Sequence, residues 1–349
     1  MPPERFARVD RVLRDACGVR FTAAVARVEF GGRVVFEGAY GTTRRDALAR
    51  PVYGDTRFDL ASLTKPFVAT LALRLAAAGK LPLDEPVAAW IPEWKVGPHA
   101  AITARMLLAH TSGMNSGADY RTILGENVER FALERELIAS PGERVTYSDL
   151  GFIALGTAIQ RIERRDLVVA ARAAFGSASL GFRPRAGDRR AIPATEKDEW
   201  RGRVQGLVHD EKAHLMGGVA GHAGLFGTAS DVAALCEAYL GPLRGRPATL
   251  LPGALAAEAV REAAADPVLR RGLGWALKTS DENSCGPSMD ASSFGHTGFV
   301  GTCVWADPVR DVQGVLLTNA VYFGRNDTRP LRAAFYEAAL ADLGLTAPR

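Results

Sequence analysis

The chain has 349 residues, of which 47% are hydrophobic and 23% charged, and its formal net charge is +4. A chain of this length can bury a sizeable core, as one large domain or as two closely packed ones. The basic residues are scattered, with no run of five, which argues against nucleic acid as a partner, and no run of 18 apolar residues predicts a membrane span.

The cysteines predict neither a disulfide framework nor a zinc site, because the four of them include no C-x-x-C pair. We therefore expect no metal and no cofactor. Residues 1–17 are rich in charge and lack the apolar segment of a signal peptide. The expectation is a cytoplasmic protein, and a periplasmic or extracellular location stays open for a chain from which a signal was removed.

The first predicted elements are a helix and a hairpin. Residues 4–16 have apolar positions at helical spacing, which predicts an amphipathic helix. Residues 24–30 alternate between apolar and polar, and Gly31-Gly32 separates them from the apolar residues 34–36. A Gly-Gly pair between two such runs predicts an antiparallel hairpin.

Ser62-Leu63-Thr64-Lys65 stands at the start of an apolar helical run, residues 66–78. Side chains three residues apart share one face of a helix, so this pattern brings an amine next to a hydroxyl. A lysine can take a serine proton if burial or nearby positive charge lowers its pKa, and a helix N-terminus favours negative charge on the serine. The motif alone is weak evidence, because serine and lysine are common.

Two further motifs strengthen the evidence for a catalytic pair of Ser62 and Lys65. Tyr147-Ser148-Asp149 precedes an apolar helical run, residues 152–159, and a tyrosine oxygen beside a lysine ammonium can act first as a base and then as an acid. His296-Thr297-Gly298 comes directly before a strand-like run, residues 299–306. A glycine at the start of a strand suits close approach of a substrate to its edge.

In this order and spacing, the three motifs resemble the serine β-lactamase and penicillin-binding-protein superfamily. The closer match is its class C-like branch, which includes esterases and D-amino-acid peptidases, and residues 107–113 and 221–231 also resemble that branch. The resemblance covers roughly residues 20–343 and implies an α+β fold. In that fold, helices flank an antiparallel sheet built from both chain ends (residues 1–75 and 272–349), and a mainly helical region (residues 76–271) is inserted between them.

The resemblance also implies roles for the motif residues. Ser62 would attack a carbonyl and form an acyl-enzyme, while Lys65 and Tyr147 hold and move the proton. The backbone N–H groups of Ser62 and Phe299 would form the oxyanion hole. His296 and Thr297 would orient the substrate, with Gly298 next to it.

Two positions depart from the family pattern. Asp149 stands where Asn is usual, and His296 stands where Lys is usual. The first change adds negative charge, and the second replaces an ammonium with a side chain that is mostly neutral at pH 7. Both changes argue against β-lactamase activity, and the histidine is typical of esterase-type members. For Asp149, substrate binding and a structural role both remain open.

Two later segments have predicted roles around the cleft. Residues 176–215 are rich in Arg, Gly, Pro and Asp, which predicts a long irregular loop forming part of the cleft wall. Residues 217–227 contain five glycines. That run forms either a series of tight turns or backbone that lies against the substrate, with His222 at the rim.

The predicted function is a serine hydrolase that acts on small carboxylic esters. The alternatives are a D-amino-acid peptidase or muropeptide amidase acting on cell-wall fragments, and a penicillin-binding module that is acylated without turnover. A metal-dependent hydrolase using His209, His214 and His222 is a third alternative, although their spacing is not H-E-x-x-H. The sequence does not indicate an oligomeric state.

Overall fold

The computed structural model describes residues 6–117, 119–266, 270–280 and 283–346. Its first elements are a helix, Ala7–Ala16, and a hairpin of strands Ala23–Phe30 and Arg33–Gly41. The two strands are antiparallel, and Gly31 and Gly32 connect them with positive φ angles of 60° and 70°. The predicted helix and hairpin are thus confirmed.

The helices of the described residues, in chain order, are α1 Ala7–Ala16, α2 Thr64–Ala77, α3 Ala104–Leu108, α4 Val128–Glu134, α5 Asp149–Glu163, α6 Leu167–Phe175, α7 Glu211–Leu215, α8 Ala229–Leu243, α9 Gly253–Ala259 and α10 Arg329–Leu343. The strands are β1 Ala23–Phe30, β2 Arg33–Gly41, β3 Phe58–Asp59, β4 Gly181–Phe182, β5 Ala194–Asp198, β6 Gly202–Gln205, β7 Leu225–Gly227, β8 Ala276–Leu277, β9 Phe294–Thr297, β10 Cys303–Asp307 and β11 Val312–Thr318.

The largest sheet combines both ends of the chain. Its strand order is β2-β1-β11-β10-β9-β8, and each neighbouring pair is antiparallel. Strand β1 pairs with β11 from Ala24 opposite Thr318 to Phe30 opposite Val312. The predicted α+β class, with an antiparallel sheet drawn from both ends and flanked by helices, is confirmed. The division at residues 75 and 271 stays a prediction.

The sheet lies between two apolar cores. Along β1, Val25 packs into the larger core with α2, α5 and α8, whereas Ala24 and Ala26 face the smaller core with α1 and α10. This is the two-residue periodicity of a strand that is covered on both faces. Fully burying a side chain such as Val25 contributes about 1.5–3 kcal/mol to stability.

Helix α2 is buried around most of its circumference. Every residue from Thr64 to Leu73 is buried, and Arg74 is the first exposed one. A helix in this position is surrounded by other elements, here including α5 and α6. Lys65 consequently lies inside the protein, with 0% of its surface exposed.

Residues 176–215 are more regular than predicted. They contain β4, the antiparallel pair β5 and β6, and α7. Arg201 holds the segment together, because its guanidinium pairs with Asp198 and donates to the carbonyl of His209 at 2.8 Å. Ile192, Val208 and Ala213 of the same segment also pack in a small apolar cluster with Ala223 and Phe226, so both the ion pair and apolar contacts give the segment a fixed conformation.

Helix α4 spans Val128–Glu134 and ends there because the chain is extended at Arg135. Helix α5 begins earlier than residue 152, at Asp149, because the side chain of Ser148 caps it by accepting from the amide of Gly151. Among the described helices, none is long and apolar enough to cross a bilayer.

Candidate active site

Ser62 lies in a 3₁₀ turn, Ala61–Leu63, that leads directly into α2. The preceding Ala61 has a φ of +47°, an uncommon value for a residue with a side chain. Asp59 holds this turn, because one carboxylate oxygen accepts from the amide of Ala61 at 2.8 Å and the other from the amide of His209 at 2.6 Å. Burial raises the pKa of Asp59 to about 6, although the two amide bonds oppose that shift.

The amine of Lys65 has three oxygen neighbours. Its Nζ lies 3.0 Å from Ser62 Oγ, 2.8 Å from a carboxylate oxygen of Asp149 and 3.3 Å from the carbonyl oxygen of His222. Burial acts to lower the pKa of Lys65, but the negative charge of Asp149 and the neighbouring Tyr147 outweigh it, so the net shift is upward. The predicted pairing of hydroxyl and amine is therefore present, with a carboxylate beside it.

Tyr147 lies over this amine, with its ring centre 4.7 Å from Lys65 Nζ. The ring of His110 packs against that of Tyr147 at a centroid distance of 4.7 Å, with the two ring planes tilted by 33°. His110 Nδ1 in turn accepts a hydrogen bond from the amide of Ser148 at 3.0 Å. Burial, followed by the charges of Arg271 and Lys65, holds the pKa of His110 well below its usual value. A neutral His110 thus holds the tyrosine motif in place through its contacts with the Tyr147 ring and the Ser148 amide.

Asp149 lies at the first turn of α5, between two lysines. It contacts Lys65 at 2.8 Å and Lys212 at 3.2 Å. Burial acts to raise the pKa of Asp149, yet the positive charge of Lys65, followed by the contributions of His222 and Lys212, lowers it overall. Two ammonium groups therefore already pair with this carboxylate. Of the two roles left open for Asp149, substrate binding and a structural role, these ion pairs favour the structural one.

The third motif forms the end of β9 and the turn after it. Gly298 must be a glycine there, because a Cβ atom would lie 2.1 Å from Thr302 Oγ1 and 2.7 Å from the carbonyl of Leu60. The carbonyl of Gly298 accepts from the guanidinium of Arg332 at 2.6 Å. The two ends of a trans peptide unit point in opposite directions, so this bond turns the amide of Phe299 away from Arg332. In the described part of the chain that amide has no acceptor.

His296 is buried, with 3% of its surface exposed, and its Nδ1 lies 2.9 Å from the carbonyl oxygen of Thr297. Its ring centre is 6.3 Å from that of Tyr147. Burial, and then the charge of Arg271, hold its pKa well below the usual value. The position that is lysine in the family pattern is thus uncharged here, and the nearby positive charge comes from Arg271.

These motifs surround an open cleft of about 420 Å³. Its lining residues are Ser62, Tyr147, Arg271, Thr297, Gly298, Phe299, Val321, Arg325, Asn326, Asp327, Thr328, Arg329 and Arg332. Arg271 is 7% exposed, and its buried Nε has no hydrogen-bond acceptor among the described residues. A largely buried cation with a free N–H donor in a cleft favours an anionic group on the ligand.

The prediction that His222 lies at the rim is wrong, since its side chain is fully buried. Its Nε2 bonds to Asp210 at 2.8 Å, and its backbone carbonyl reaches Lys65. The glycine run packs against α5, where a Cβ atom on Gly221 would lie 1.9 Å from the carbonyl oxygen of Phe152. Close packing between backbones therefore explains this glycine, rather than contact with a substrate.

The metal alternative finds no support in the histidines. His209 stacks on Phe299, and His214 packs edge-on against Trp200. The side chains of these two histidines therefore contact different residues from the side chain of His222. Ligand-type atoms of Asp149, Asp210 and His222 do lie within 4.8 Å of one another. Their carboxylates are already neutralised by lysines, so the group is an ion-pair network within the protein.

Four side chains around the site had no assigned role in the sequence analysis: Asp59, Lys212, Arg271 and Arg332. Asp59 had a local signal, because an aspartate that accepts from the amide two residues later forms a recognisable turn. The other three come from distant parts of the chain, and their contact with the site results from tertiary packing alone.

Comparison with known proteins gives consistent results. The family model described as Beta-lactamase matches residues 10–338. Esterase EstB of Burkholderia gladioli is 31% identical, over 96% of this chain and 95% of the esterase. The N-acetylmuramyl-L-alanine amidase of Bacillus subtilis (strain 168) is 30% identical, over 90% of this chain and 81% of the amidase.

The solved structures also agree on the fold. EstCE1, described as a hydrolase with promiscuous acyltransferase activity, aligns with a TM-score of 0.77 over 95% of this chain and 99% of its own. The sequence identity is 23%. At this identity the likeness concerns the fold alone.

Proposed function

This chain belongs to the Beta-lactamase family of serine hydrolases, as its motifs predicted, and we propose that it cleaves small carboxylic esters through an acyl-enzyme on Ser62. The observation that carries the proposal is the 3.0 Å contact between Ser62 Oγ and the buried amine of Lys65, under the ring of Tyr147. The esterase relative, aligned over nearly its whole length, supports an ester as the substrate.

The geometry supports a two-step reaction. Ser62 Oγ bonds to the ester carbonyl carbon while its proton passes to the Lys65–Tyr147 pair, and the carbonyl oxygen becomes an oxyanion. The amides of Ser62 and Phe299 stabilise that oxyanion. The alcohol then leaves with the proton, and water hydrolyses the acyl-enzyme by the same steps in reverse.

His296 favours esters over β-lactams in this proposal. Its burial keeps it neutral, so it offers no ammonium for the carboxylate of a β-lactam. Esters also have better leaving groups than amides, and they need less help from the acid that protonates the leaving group. Thr297 and Gly298, which line the cleft, position the acyl chain.

The test is a fluorophosphonate probe followed by intact-protein and peptide mass spectrometry, combined with a panel of p-nitrophenyl esters of increasing chain length. We expect one adduct, mapped to Ser62, and turnover of short-chain esters. Ser62→Ala removes both, and Ser112→Ala, a buried serine outside the cleft, keeps both. Labelling of another residue, or ester turnover by Ser62→Ala, contradicts the proposal.

A second candidate is a peptidase or amidase acting on cell-wall fragments. The guanidinium of Arg271 favours it, because its Nε has no acceptor among the described residues. Such fragments carry free carboxylates that Arg271 can bind. The amidase relative supports this candidate as well. The test measures release of D-alanine from D-Ala-D-Ala peptides and of peptide from MurNAc-peptides. Rates above those for esters decide in favour of the peptidase or amidase. The cytoplasmic location stays a prediction, which fractionation of the native host tests.

A further inference from the structure

His209 contacts both parts of the chain that supply the proposed oxyanion donors. Its backbone N–H donates to one carboxylate oxygen of Asp59 at 2.6 Å, and the other oxygen accepts from the amide of Ala61, in the turn that contains Ser62. Its imidazole stacks on the ring of Phe299, with the centroids 5.7 Å apart and the planes 25° apart. One residue therefore connects the turn of the nucleophile with the residue that follows the third motif.

The side chain of Phe299 lies in the cleft with 54% of its surface exposed. It belongs to a turn that the amide of Gly301 closes by donating to the carbonyl of Gly298 at 3.0 Å. The next residue, Val300, is buried in a small apolar cluster with Ala61. Apolar burial thus fixes Val300, whereas the orientation of the exposed phenyl ring depends on the few groups that touch it.

Arg325 supplies a second contact to this ring, with its guanidinium carbon 5.3 Å from the ring centre of Phe299. Glu196 accepts two hydrogen bonds from the guanidinium, at 2.9 and 2.6 Å, and Glu211 accepts one at 2.6 Å. The carboxylate side chains are 13% and 19% exposed. A bidentate pair with a largely buried carboxylate holds an arginine in one geometry. The position of Arg325 over the ring is therefore set by the protein.

The surroundings of His209 hold it in the same way. Arg201 donates to its carbonyl at 2.8 Å, and a carboxylate oxygen of Glu196 lies 3.7 Å from its Nε2. Burial lowers the pKa of His209, although the charge of Glu196 opposes that shift. Neither ring nitrogen has a hydrogen-bond partner among the described residues. An unpaired buried polar group lowers stability, so stability alone does not explain a histidine at this position.

We propose that His209 and Arg325 are positioning residues, which hold the ring of Phe299 so that its amide stays directed at the oxyanion. Glu196 supports both of them. The inference rests on the proposed function and adds the residues that fix one of its two oxyanion donors. Arg332 binds the carbonyl of the same peptide unit, so that unit is held on both sides. Precise placement matters because a displacement of about 1 Å can cost about 10²-fold in rate.

The test is a double-variant cycle between Arg325 and Phe299. It measures the acylation rate constant and the dissociation constant of p-nitrophenyl acetate. Phe299→Ala removes the ring, and we expect acylation to slow by about 10–10²-fold with an unchanged dissociation constant, because a displaced donor weakens only the transition state. Arg325→Met slows acylation by a smaller factor. The double variant equals Phe299→Ala within about threefold, because Arg325 acts through a ring that is no longer there.

Direct binding of the substrate by Arg325, which also lines the cleft, gives a different pattern. The losses of the two single variants then multiply in the double variant, and this result overturns the proposal. An acylation rate in Phe299→Ala within about threefold of the native rate also overturns it. Phe299→Tyr keeps the ring and is expected to keep the rate. Arg165→Met, which breaks a surface pair with Glu163, is the matched control and leaves both constants unchanged.

His209→Ala extends the test to the buried side of the ring. The variant keeps the backbone N–H that Asp59 binds, so it removes only the stack. We expect slower acylation, which again does not multiply with the loss in Phe299→Ala. If this buried variant does not fold, the cycle at Arg325 still decides, because that side chain is 50% exposed.

The rate at which a fluorophosphonate labels Ser62 separates this inference from the proposed function. Phosphonylation also places a negatively polarised oxygen in the oxyanion hole, so we expect the same dependence on the Phe299 ring without any ester turnover. If the native protein is labelled but turns over no ester, the proposed function fails, and the labelling rates still decide the inference. If labelling and turnover are native-like in every variant, the inference fails and the proposed function stands.

Discussion

The guanidinium carbon of Arg271 lies 5.3 Å from the centre of the Tyr147 ring. The same ring has Lys65 Nζ at 4.7 Å, so two cations lie close to one aromatic side chain beside Ser62. Cations are attracted to the faces of aromatic rings, and burial strengthens the attraction. Tyr147 is thereby held in place, and one wall of the cleft is electropositive.

Tyr147→Phe is expected to lower kcat by about 10²–10⁴-fold, because it removes the oxygen that exchanges the serine proton but keeps the ring. The packing against His110 is retained, so thermal unfolding changes little. Steady-state kinetics with a p-nitrophenyl ester and a melting curve check both parts. Tyr120→Phe, which removes a hydroxyl outside the cleft, is the matched control. A kcat within threefold of the native value refutes the role.

Arg271→Gln is expected to remove a preference for carboxylate-bearing substrates. A hydrogen bond to a charged group contributes about 1.5–3 kcal/mol, or roughly 10- to 150-fold in kcat/KM. The measurement compares a succinate half-ester with a butyrate ester of the same alcohol. Only the half-ester is expected to lose activity, and equal loss for both esters argues against anion binding. Arg130→Gln, exposed on α4, is the control.

Arg332→Met is expected to reduce kcat with little change in KM. The guanidinium fixes the Gly298–Phe299 peptide, and the loss of one oxyanion donor costs about 10²–10³-fold in rate. Arg332→Lys keeps one donor and is expected to recover part of the activity. Pre-steady-state acylation kinetics measure the effect directly. A fall in binding without a change in the acylation rate contradicts this prediction.

Stability is expected to decrease as the pH falls below about 6.5. His110 has a folded-state pKa well below its usual value, so the unfolded chain binds a proton that the folded protein excludes. Between about pH 7.5 and about pH 6.0, this one histidine removes about 0.8 kcal/mol from the free energy of unfolding.

His110→Asn should lose that part of the pH dependence. Asn tolerates the positive φ of 60° at this position, and its side-chain oxygen can accept from the amide of Ser148. Urea unfolding of both proteins at the two pH values gives the comparison. An identical pH dependence in the variant shows that His110 is not responsible.

Local patterns were predictable from the sequence, and long-range contacts were not. Ser62 and Lys65 are three residues apart, so helical geometry alone brings them together. The hairpin was also predictable from a local pattern, because Gly31-Gly32 separates two strand-like runs. Lys212 and Arg271 reach the site only because α7 and the segment before β8 pack against it, and single lysines and arginines carry no sequence signal of such contacts.

The errors have a similar origin. His222 was expected at the rim if the backbone of the glycine run lay against the substrate, but here the run packs against the backbone of α5. The sequence left both substrate binding and a structural role open for Asp149, because its partners Lys65 and Lys212 lie on two other helices.

The pairing of β1 with β11 also bears on how the protein is made. Ala24 is translated long before its partner Thr318, so the hairpin of β1 and β2 leaves the ribosome while the β1 edge that pairs with β11 is still unpaired. Trp305 and the rest of β10 must follow before the central strands can assemble. The nascent chain therefore passes through most of its synthesis with Ser62 already translated but without Phe299, and under the proposed mechanism we expect hydrolysis only after both residues have been made.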